Sequence, residues 1–341
     1  MTFASKEALL PIARAARLRL RYQWSKRRAG SSRHFRFQTP PVFVIGCGRS
    51  GTTILGELLK AHPNVSYLFE PYHFWTAVDS RTDMLHLYEQ SAAACALSAD
   101  DATPRIAQRF NAAFGRVAAA TPSRVLVEKT PINSLRISYL DAIAPSCRFI
   151  HIVRDGVDVA RSIERLATTN EYRIAGKPKF NQWWGDDDVK WRLLARDGAS
   201  LGHHPFEAPH LTDHDVRGAY EWLVSLHEVN RFRNMLDDRL LEIRYADLIS
   251  SPRETLDTIA SFMRIGALRD WLNASVNRID ANRSMKSGAI TLPSAMADDF
   301  NELQSQYNFR GVAITDSEET RQRAPSPRQR DGVREEESAG Q

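Results

Sequence analysis

Short apolar or β-branched runs recur along the chain at 41–45 (PVFVI), 65–69 (VSYLF), 124–128 (RVLVE), 147–153 (CRFIHIV) and 239–245 (RLLEIRY), with helically spaced stretches between them. Strands that alternate with helical segments predict a parallel sheet with helices on both faces. The stretch TTILGELLKAH (52–62) follows the first run and stops at Pro63-Asn64, which makes a strand, tight loop, helix unit. Residues 82–120, rich in alanine, read as helices, and 216–238 as a longer amphipathic helix. Residues 168–215 mix Trp183, Trp184 and Trp191 with four histidines and several Gly and Pro, without a clear period, and are expected to form a lid or insertion. From 316 onward the chain has no aromatics and mixed charge, so 316–341 is expected to be a disordered tail. No internal repeat is visible.

Length and composition change this picture little: 341 residues at 43% hydrophobic content suffice for a sizeable core, and the chain reads as globular. Charge changes it more. Residues 1–37 hold ten Lys/Arg against one acid, so the basic balance belongs to the N-terminus and the remainder is mildly acidic. Residues 1–39 read either as a basic amphipathic helix resting on an anionic membrane surface or as a solvated basic arm. Nucleic-acid binding is not expected, because no binding module is recognisable. Lys6, Glu7, Arg14, Arg17 and Arg19 interrupt the region a signal peptide would occupy, and no run of about 18 apolar residues occurs, so neither export nor a membrane span is expected. Cys47, Cys95 and Cys147 show no C-x-x-C or Cys/His spacing, which argues against a disulfide framework or zinc site and for a reducing, cytoplasmic setting.

Candidate chemistry starts at residues 46–53, GCGRSGTT, between the first strand and its helix. The frame is that of a phosphate loop, G-x-x-x-x-G-K-[ST], with Thr52 where the lysine belongs. A glycine-rich turn aims backbone N–H groups at an anion, and the helix N-terminus adds about half a positive charge. Gly46, Gly48 and Gly51 therefore favour a phosphate, with hydroxyls from Thr52 and Thr53 and a charged fork from Arg49. The expected ligand is a nucleotide phosphate whose transferred group needs no Mg²⁺; a tight turn without ligand is the other reading of the motif alone. In CRFIHIVRDGVDVARSIERL, Arg154 closes a strand and Ser162 lies eight positions on, about two helical turns further. The two could clamp a second phosphate. Taken alone, Arg154 reads better as the partner of Asp155 or Asp158.

Together these residues resemble the sulfotransferases that use 3′-phosphoadenylyl sulfate (PAPS). GRSGTT looks like that family's 5′-phosphosulfate loop, in which a lysine or arginine precedes Ser-Gly-Thr-Thr, here Arg49. IVRDGVDVARS looks like its 3′-phosphate motif, here Arg154 and Ser162. GRSGTTILGELLKAHPNVSYLFEPYHFW is similar to the first motif region of carbohydrate sulfotransferases, VEKTPINSL to a segment of bacterial members, and RYADLISSPRETLDTIASFM, with Tyr245, to the family's later strand-to-helix stretch. The resemblance covers roughly residues 41–290. It implies a P-loop-like three-layer α/β sandwich, with a five-stranded, mainly parallel sheet between helices, spanning 40–315 with the 168–215 segment as its lid.

The resemblance also implies roles. Gly48, Arg49, Ser50, Gly51, Thr52 and Thr53 would cradle the phosphosulfate, with Arg49 on the leaving-group side. Lys129, just past the third strand, would be a second cation near the sulfate. Glu70, closing the second strand before Pro71, resembles the family's acidic base, and His73 and Glu128 are its reserves. Cytosolic members place a histidine two positions after the third-strand lysine, where this chain has Pro131. Arg283, Lys286, Ser287 and Gly288 occupy the place of a late basic loop that folds over the 3′-phosphate and adenine. The implied reaction is metal-free sulfuryl transfer from PAPS to a hydroxyl, carried by a small molecule, carbohydrate or glycolipid. The N-terminal membrane anchor usual in Golgi members is not expected here, so peripheral membrane contact through the basic N-terminus stays open, and oligomeric state is not legible. A P-loop kinase or NTPase, and an inactive nucleotide-binding protein of the same fold, are the alternatives.

Overall fold

The computed structural model describes residues 6–88, 92–169, 182–280 and 287–315, with side chains from residue 16 onward. Five strands form the central sheet: β1 (Val42–Ile45), β2 (Val65–Phe69), β3 (Val125–Lys129), β4 (Arg148–Val153) and β5 (Leu240–Arg244). Their order is β2-β3-β1-β4-β5, and every pair is parallel. In register, Val44 of β1 lies opposite Lys129 on one side and Ile150 on the other. A parallel sheet is covered on both faces, which is why β1 reads as the unbroken apolar run VFVI and is buried along its length.

Thirteen α-helices surround the sheet among the described residues: α1 (Lys6–Ala29), α2 (Thr52–Lys60), α3 (Tyr72–Val78), α4 (Pro104–Phe110), α5 (Arg116–Ala119), α6 (Ile137–Ile143), α7 (Gly156–Thr169), α8 (Val189–Ser200), α9 (His214–Leu236), α10 (Tyr245–Ser250), α11 (Pro252–Phe262), α12 (Arg269–Val276) and α13 (Ser294–Gln306). Alternation along β1 sorts the core: Val42 and Val44 pack with Leu55 of α2, Ile259 of α11 and Trp271 of α12, whereas Phe43 and Ile45 pack with Trp75 of α3, Phe110, and Tyr139 of α6. A third cluster joins α7, α8, α9 and α13 through Trp184, Tyr220, Trp222 and Phe300.

Several elements differ from the sequence pattern. Within 82–120 the helical segments are short, and the described residues between 83 and 98 are not helical. The helix read over 216–238 is α9, but residues 218–226 are buried without interruption, because α9 lies inside the third cluster; Gly218 lets its backbone approach Ala160 of α7 closely. The described part of 168–215 carries α8 and packs Trp183, Trp184 and Trp191 into the core, with edge-on contacts between Trp184 and Trp191 at 5.5 Å and between Trp191 and Tyr220 at 5.6 Å. Residues 170–181, and the tail 316–341, lie outside the described residues. A small parallel pair, β6 (Ala289–Thr291) with β7 (Val312–Ile314), was not expected. Asp155 fastens it: its buried carboxylate accepts from the backbone N–H of Gly311 at 2.8 Å and Arg310 at 3.1 Å while capping the first turn of α7 through Val157 N–H at 2.9 Å. Among the described residues no helix is long and apolar enough to cross a membrane.

Candidate active site

All five strands present their carboxyl ends to one edge of the sheet, where ligands bind in open α/β folds. The glycine loop leaves β1, Glu70 follows β2, Lys129 ends β3, Arg154 follows β4 and Tyr245 follows β5. The sequence-predicted site residues are thus gathered by topology from across some 200 positions of chain.

The loop turns tightly, with Ser50 N–H bonded to Cys47 O at 3.2 Å and φ of +73° at Arg49 and +104° at Gly51. Gly51 has no alternative: besides its backbone angle, a Cβ there would overlap the Tyr245 ring, which packs beneath the loop. Gly48 is likewise confined, since a Cβ would come within 2.6 Å of Trp183. Ser50 Oγ and Arg154 Nε are buried without a hydrogen-bond partner among the described residues, which fits a loop whose remaining acceptor is an anion.

The second motif meets the first. Arg49 Nε donates to Ser162 Oγ at 3.1 Å, and Arg154 Nη1 donates to the Arg49 carbonyl at 3.3 Å. Arg154 also pairs with Asp158 at 3.3 Å and lies 4.9 Å from the Tyr245 ring centroid, so Asp158, not Asp155, is its carboxylate partner. The late loop reaches the same face: Arg161, one position before Ser162, donates to Ser287 O at 3.4 Å and Ala289 O at 2.9 Å, and Gly288 sits against its guanidinium. Arg283 and Lys286 lie outside the described residues.

Lys129 and Glu70 form the other half of the site. Lys129 is fully buried; its Nζ is 2.6 Å from Glu70 Oε1, 3.3 Å from Thr53 Oγ1 and 4.0 Å from the Phe69 ring centroid. Glu70 extends the β2–β3 pairing through its N–H to Lys129 O at 2.8 Å, then turns sharply at φ +38°, and its Oε2 accepts from Tyr72 Oη at 3.2 Å. The reserve bases sit elsewhere. Glu128 alternates to the opposite side of β3, where Trp75, Thr130 and Asn133 donate to it; burial pushes its carboxyl up to about 7 against the opposing pull of those donors and Lys129. His73 stacks on Phe74 at 4.7 Å, and burial, aided by the charge of Arg21, lowers its pKa to about 4.

A narrow cleft of about 80 Å³ lies over the loop, lined by Gly48, Arg49, Thr52, Thr53 and Glu70 on one side and by Trp183, Lys190 and Glu221 on the other. Sequence reasoning missed that second wall. Lys190 Nζ contacts both Glu221 oxygens, at 2.8 and 2.9 Å, and Trp183 Nε1 donates to Glu221 at 3.2 Å, all three side chains being buried. A signal existed: Glu221 is a lone carboxylate within the apolar stretch AYEWLVSL. Its partner, 31 positions earlier, sits in the segment read as a lid.

Fold and loop together define an α/β protein of phosphate-loop type, and the solved sulfotransferase STF9 from Mycobacterium avium has a similar fold, with a TM-score of 0.50 at 14% identity over 81% of this chain and 78% of that one. The sequence model of the sulfotransferase family matches residues 40–200 of this chain. The chain is 29% identical to nodulation protein NoeE of Sinorhizobium fredii over 128 residues, 36% of this chain and 30% of that protein. It is 25% identical to human carbohydrate sulfotransferase 5 over 263 residues, 60% of this chain and 59% of the relative, so it spans under two thirds of either.

Proposed function

We propose that the protein transfers a sulfuryl group from PAPS to an acceptor hydroxyl, most simply that of a carbohydrate. The observation that carries this reading is the meeting of the two motifs, with Arg49 bonded to Ser162 and Arg154 bonded to the Arg49 carbonyl, on a loop that has Thr52 where nucleotide triphosphatases have lysine. The donor's 5′-phosphosulfate would lie on the backbone N–H groups of Ser50, Gly51 and Thr52, and its 3′-phosphate against Arg154 and Ser162, with the loop at Ser287 and Gly288 alongside. The sugar acceptor draws support from the similarity to a carbohydrate sulfotransferase.

In the transfer, the acceptor oxygen forms a bond to sulfur as the bond from sulfur to the donor's phosphate oxygen breaks, and adenosine 3′,5′-bisphosphate leaves. Glu70 takes the acceptor's proton and later gives it to water. Lys129 orients Glu70 and, with Arg49, places positive charge where the transferring group and the departing phosphate oxygen are most negative. Such chemistry is mostly positioning and electrostatics, as in phosphoryl transfer.

Glu70→Gln tests the assignment. Transfer of labelled sulfate should fall by roughly 100-fold or more, the usual worth of a positioned base, while affinity for the bisphosphate stays near that of the unaltered protein. Near-normal turnover in that variant would rule Glu70 out.

A further inference from the structure

A second concavity adjoins the cleft. Helix α1 is anchored by Tyr22, Ser25 and Ala29, which are buried; Tyr22 stacks on Tyr88 at 5.0 Å and Trp24 meets Phe74 at 5.7 Å. Between α1 and the end of β2 this leaves a groove of about 810 Å³, lined chiefly by Leu20, Trp24, Phe69, Phe74 and Val117, with Arg21 at its edge. Its apolar rim faces water: Leu20 is 71% exposed, Phe69 50% and Trp24 44%. Scattered exposed apolar residues are ordinary, but three of them around one groove are not.

The groove and the cleft share a wall one chain thick. Phe69 lines both; Glu70 and Tyr72 line the cleft, and Pro71 and His73 line the groove. Their side chains alternate across residues 69–73, so a molecule in the groove lies immediately beside the carboxylate assigned as base. The groove's side chains are apolar apart from Arg21, Tyr67 and His73, and the low pKa of His73 leaves its ring neutral at physiological pH. Of the exposed arginines on α1, Arg17, Arg19, Arg21 and Arg27, Arg21 lines the groove, so the long apolar chain of an amphiphile would lie along Leu20 and Trp24 with its polar end directed away from them.

We propose that this groove takes the apolar chain of an amphiphilic acceptor, one whose hydroxyl-bearing headgroup reaches Glu70 around the 69–73 wall while its alkyl or acyl chain lies between α1 and Phe69. The inference rests on the sulfotransferase reading and narrows its acceptor class. Burial of one methylene corresponds to about a fourfold gain in affinity at about 0.8 kcal/mol each, so even a chain half covered in an open groove gains about 100-fold over seven methylenes.

Calorimetric titration of the full chain, saturated with adenosine 3′,5′-bisphosphate, with methyl β-glucoside and with octyl β-glucoside below its micellar concentration is the test. The octyl compound should bind at least about 100-fold more tightly than the methyl one. Leu20→Asp, at a largely exposed position that folding does not need, and separately Trp24→Ser, should each remove at least 10-fold of that preference and leave bisphosphate binding unchanged. Equal affinity for the two glucosides, or a preference undiminished in both variants, overturns the groove assignment. Failure of the unaltered protein to bind the bisphosphate overturns the donor site instead, and the two failures are therefore distinguishable.

Discussion

Replacing Lys190 by Met leaves the Glu221 carboxylate buried against the phosphate loop without its cation, and this single change gives the sharpest energetic test of the cleft. The pair is well made: the side chains are 7% and 4% exposed, and Lys190 Nζ lies 2.8 and 2.9 Å from the two oxygens. At an effective dielectric of about 20, unit charges about 3 Å apart attract by roughly 5–6 kcal/mol. Much of that offsets the cost of removing both charges from water, so the net worth of the pair is small while the cost of breaking it is roughly 3–5 kcal/mol. Lys190→Met should therefore lower Tm by roughly 6–20 °C at 2–4 °C per kcal/mol. Lys190→Met/Glu221→Gln should recover much of this loss, because the amide oxygen can still accept from Trp183. Urea unfolding of the four proteins of the cycle should give a coupling of roughly 2–3 kcal/mol. Binding follows the same logic. Glu221 Oε1 lies 3.7 Å from where a Cβ of Gly48 would stand, so its unneutralised charge repels an anionic donor. The single variant should lose more bisphosphate affinity than the double one. Additive effects within about 0.5 kcal/mol would refute the argument.

Gly51→Ala should weaken bisphosphate binding by at least about 10-fold and destabilise the fold by roughly 1 kcal/mol or more, because φ at +104° disfavours a side chain and the Tyr245 ring fills its place; titration and thermal melting check it, and wild-type affinity in a stable variant would contradict it. Two carboxyls set opposite pH dependences. Burial raises Glu242, but hydrogen bonds and charge from His151 and Arg233 outweigh it and bring its pKa from 4.5 to about 2, so the stability it contributes is complete above 4.5 and is lost as pH falls toward 2. The urea midpoint of Glu242→Gln should accordingly fall less steeply across that window, and an unchanged slope would count against the pairing. Glu128, held up to about 7 by burial, contributes stability that is complete below 4.5 and is lost as pH rises through 7, so Glu128→Gln should flatten the decline between pH 5 and 8.

The five strands were legible because a doubly covered parallel sheet leaves its residues almost no polar option, and short apolar runs bounded by turns have few other uses. The tight glycine turn between β1 and α2 was legible because its constraint is local: glycines at fixed offsets between a strand and a helix. Where burial was set by distant partners, the sequence pattern misled. Trp183, Trp184 and Trp191 lack a period because their burial is set by a distant helix, α9, where they meet Glu221, His214 and Tyr220, and three-residue strands such as β6 and β7 carry no pattern of their own and depend on Asp155, which lies over 130 positions before β6. Lys190 is an ordinary surface residue type whose burial only the fold makes visible, and Glu221 is marked in the sequence only by the apolar stretch around it. Helix α1 is basic along its exposed face, and composition showed that charge but not the apolar groove that the helix closes.

The central claim, a site built for a bisphosphorylated adenosine and not for a nucleoside triphosphate, is tested most directly by calorimetric titration of the full chain with adenosine 3′,5′-bisphosphate, with ATP and Mg²⁺ in parallel. The account predicts micromolar binding of the bisphosphate, little response to ATP, and a loss of about 10- to 100-fold in Arg154→Ala, the worth of one charged hydrogen bond at roughly 1.5–3 kcal/mol. Binding of ATP without the bisphosphate, or an Arg154→Ala protein of unchanged affinity, would contradict it.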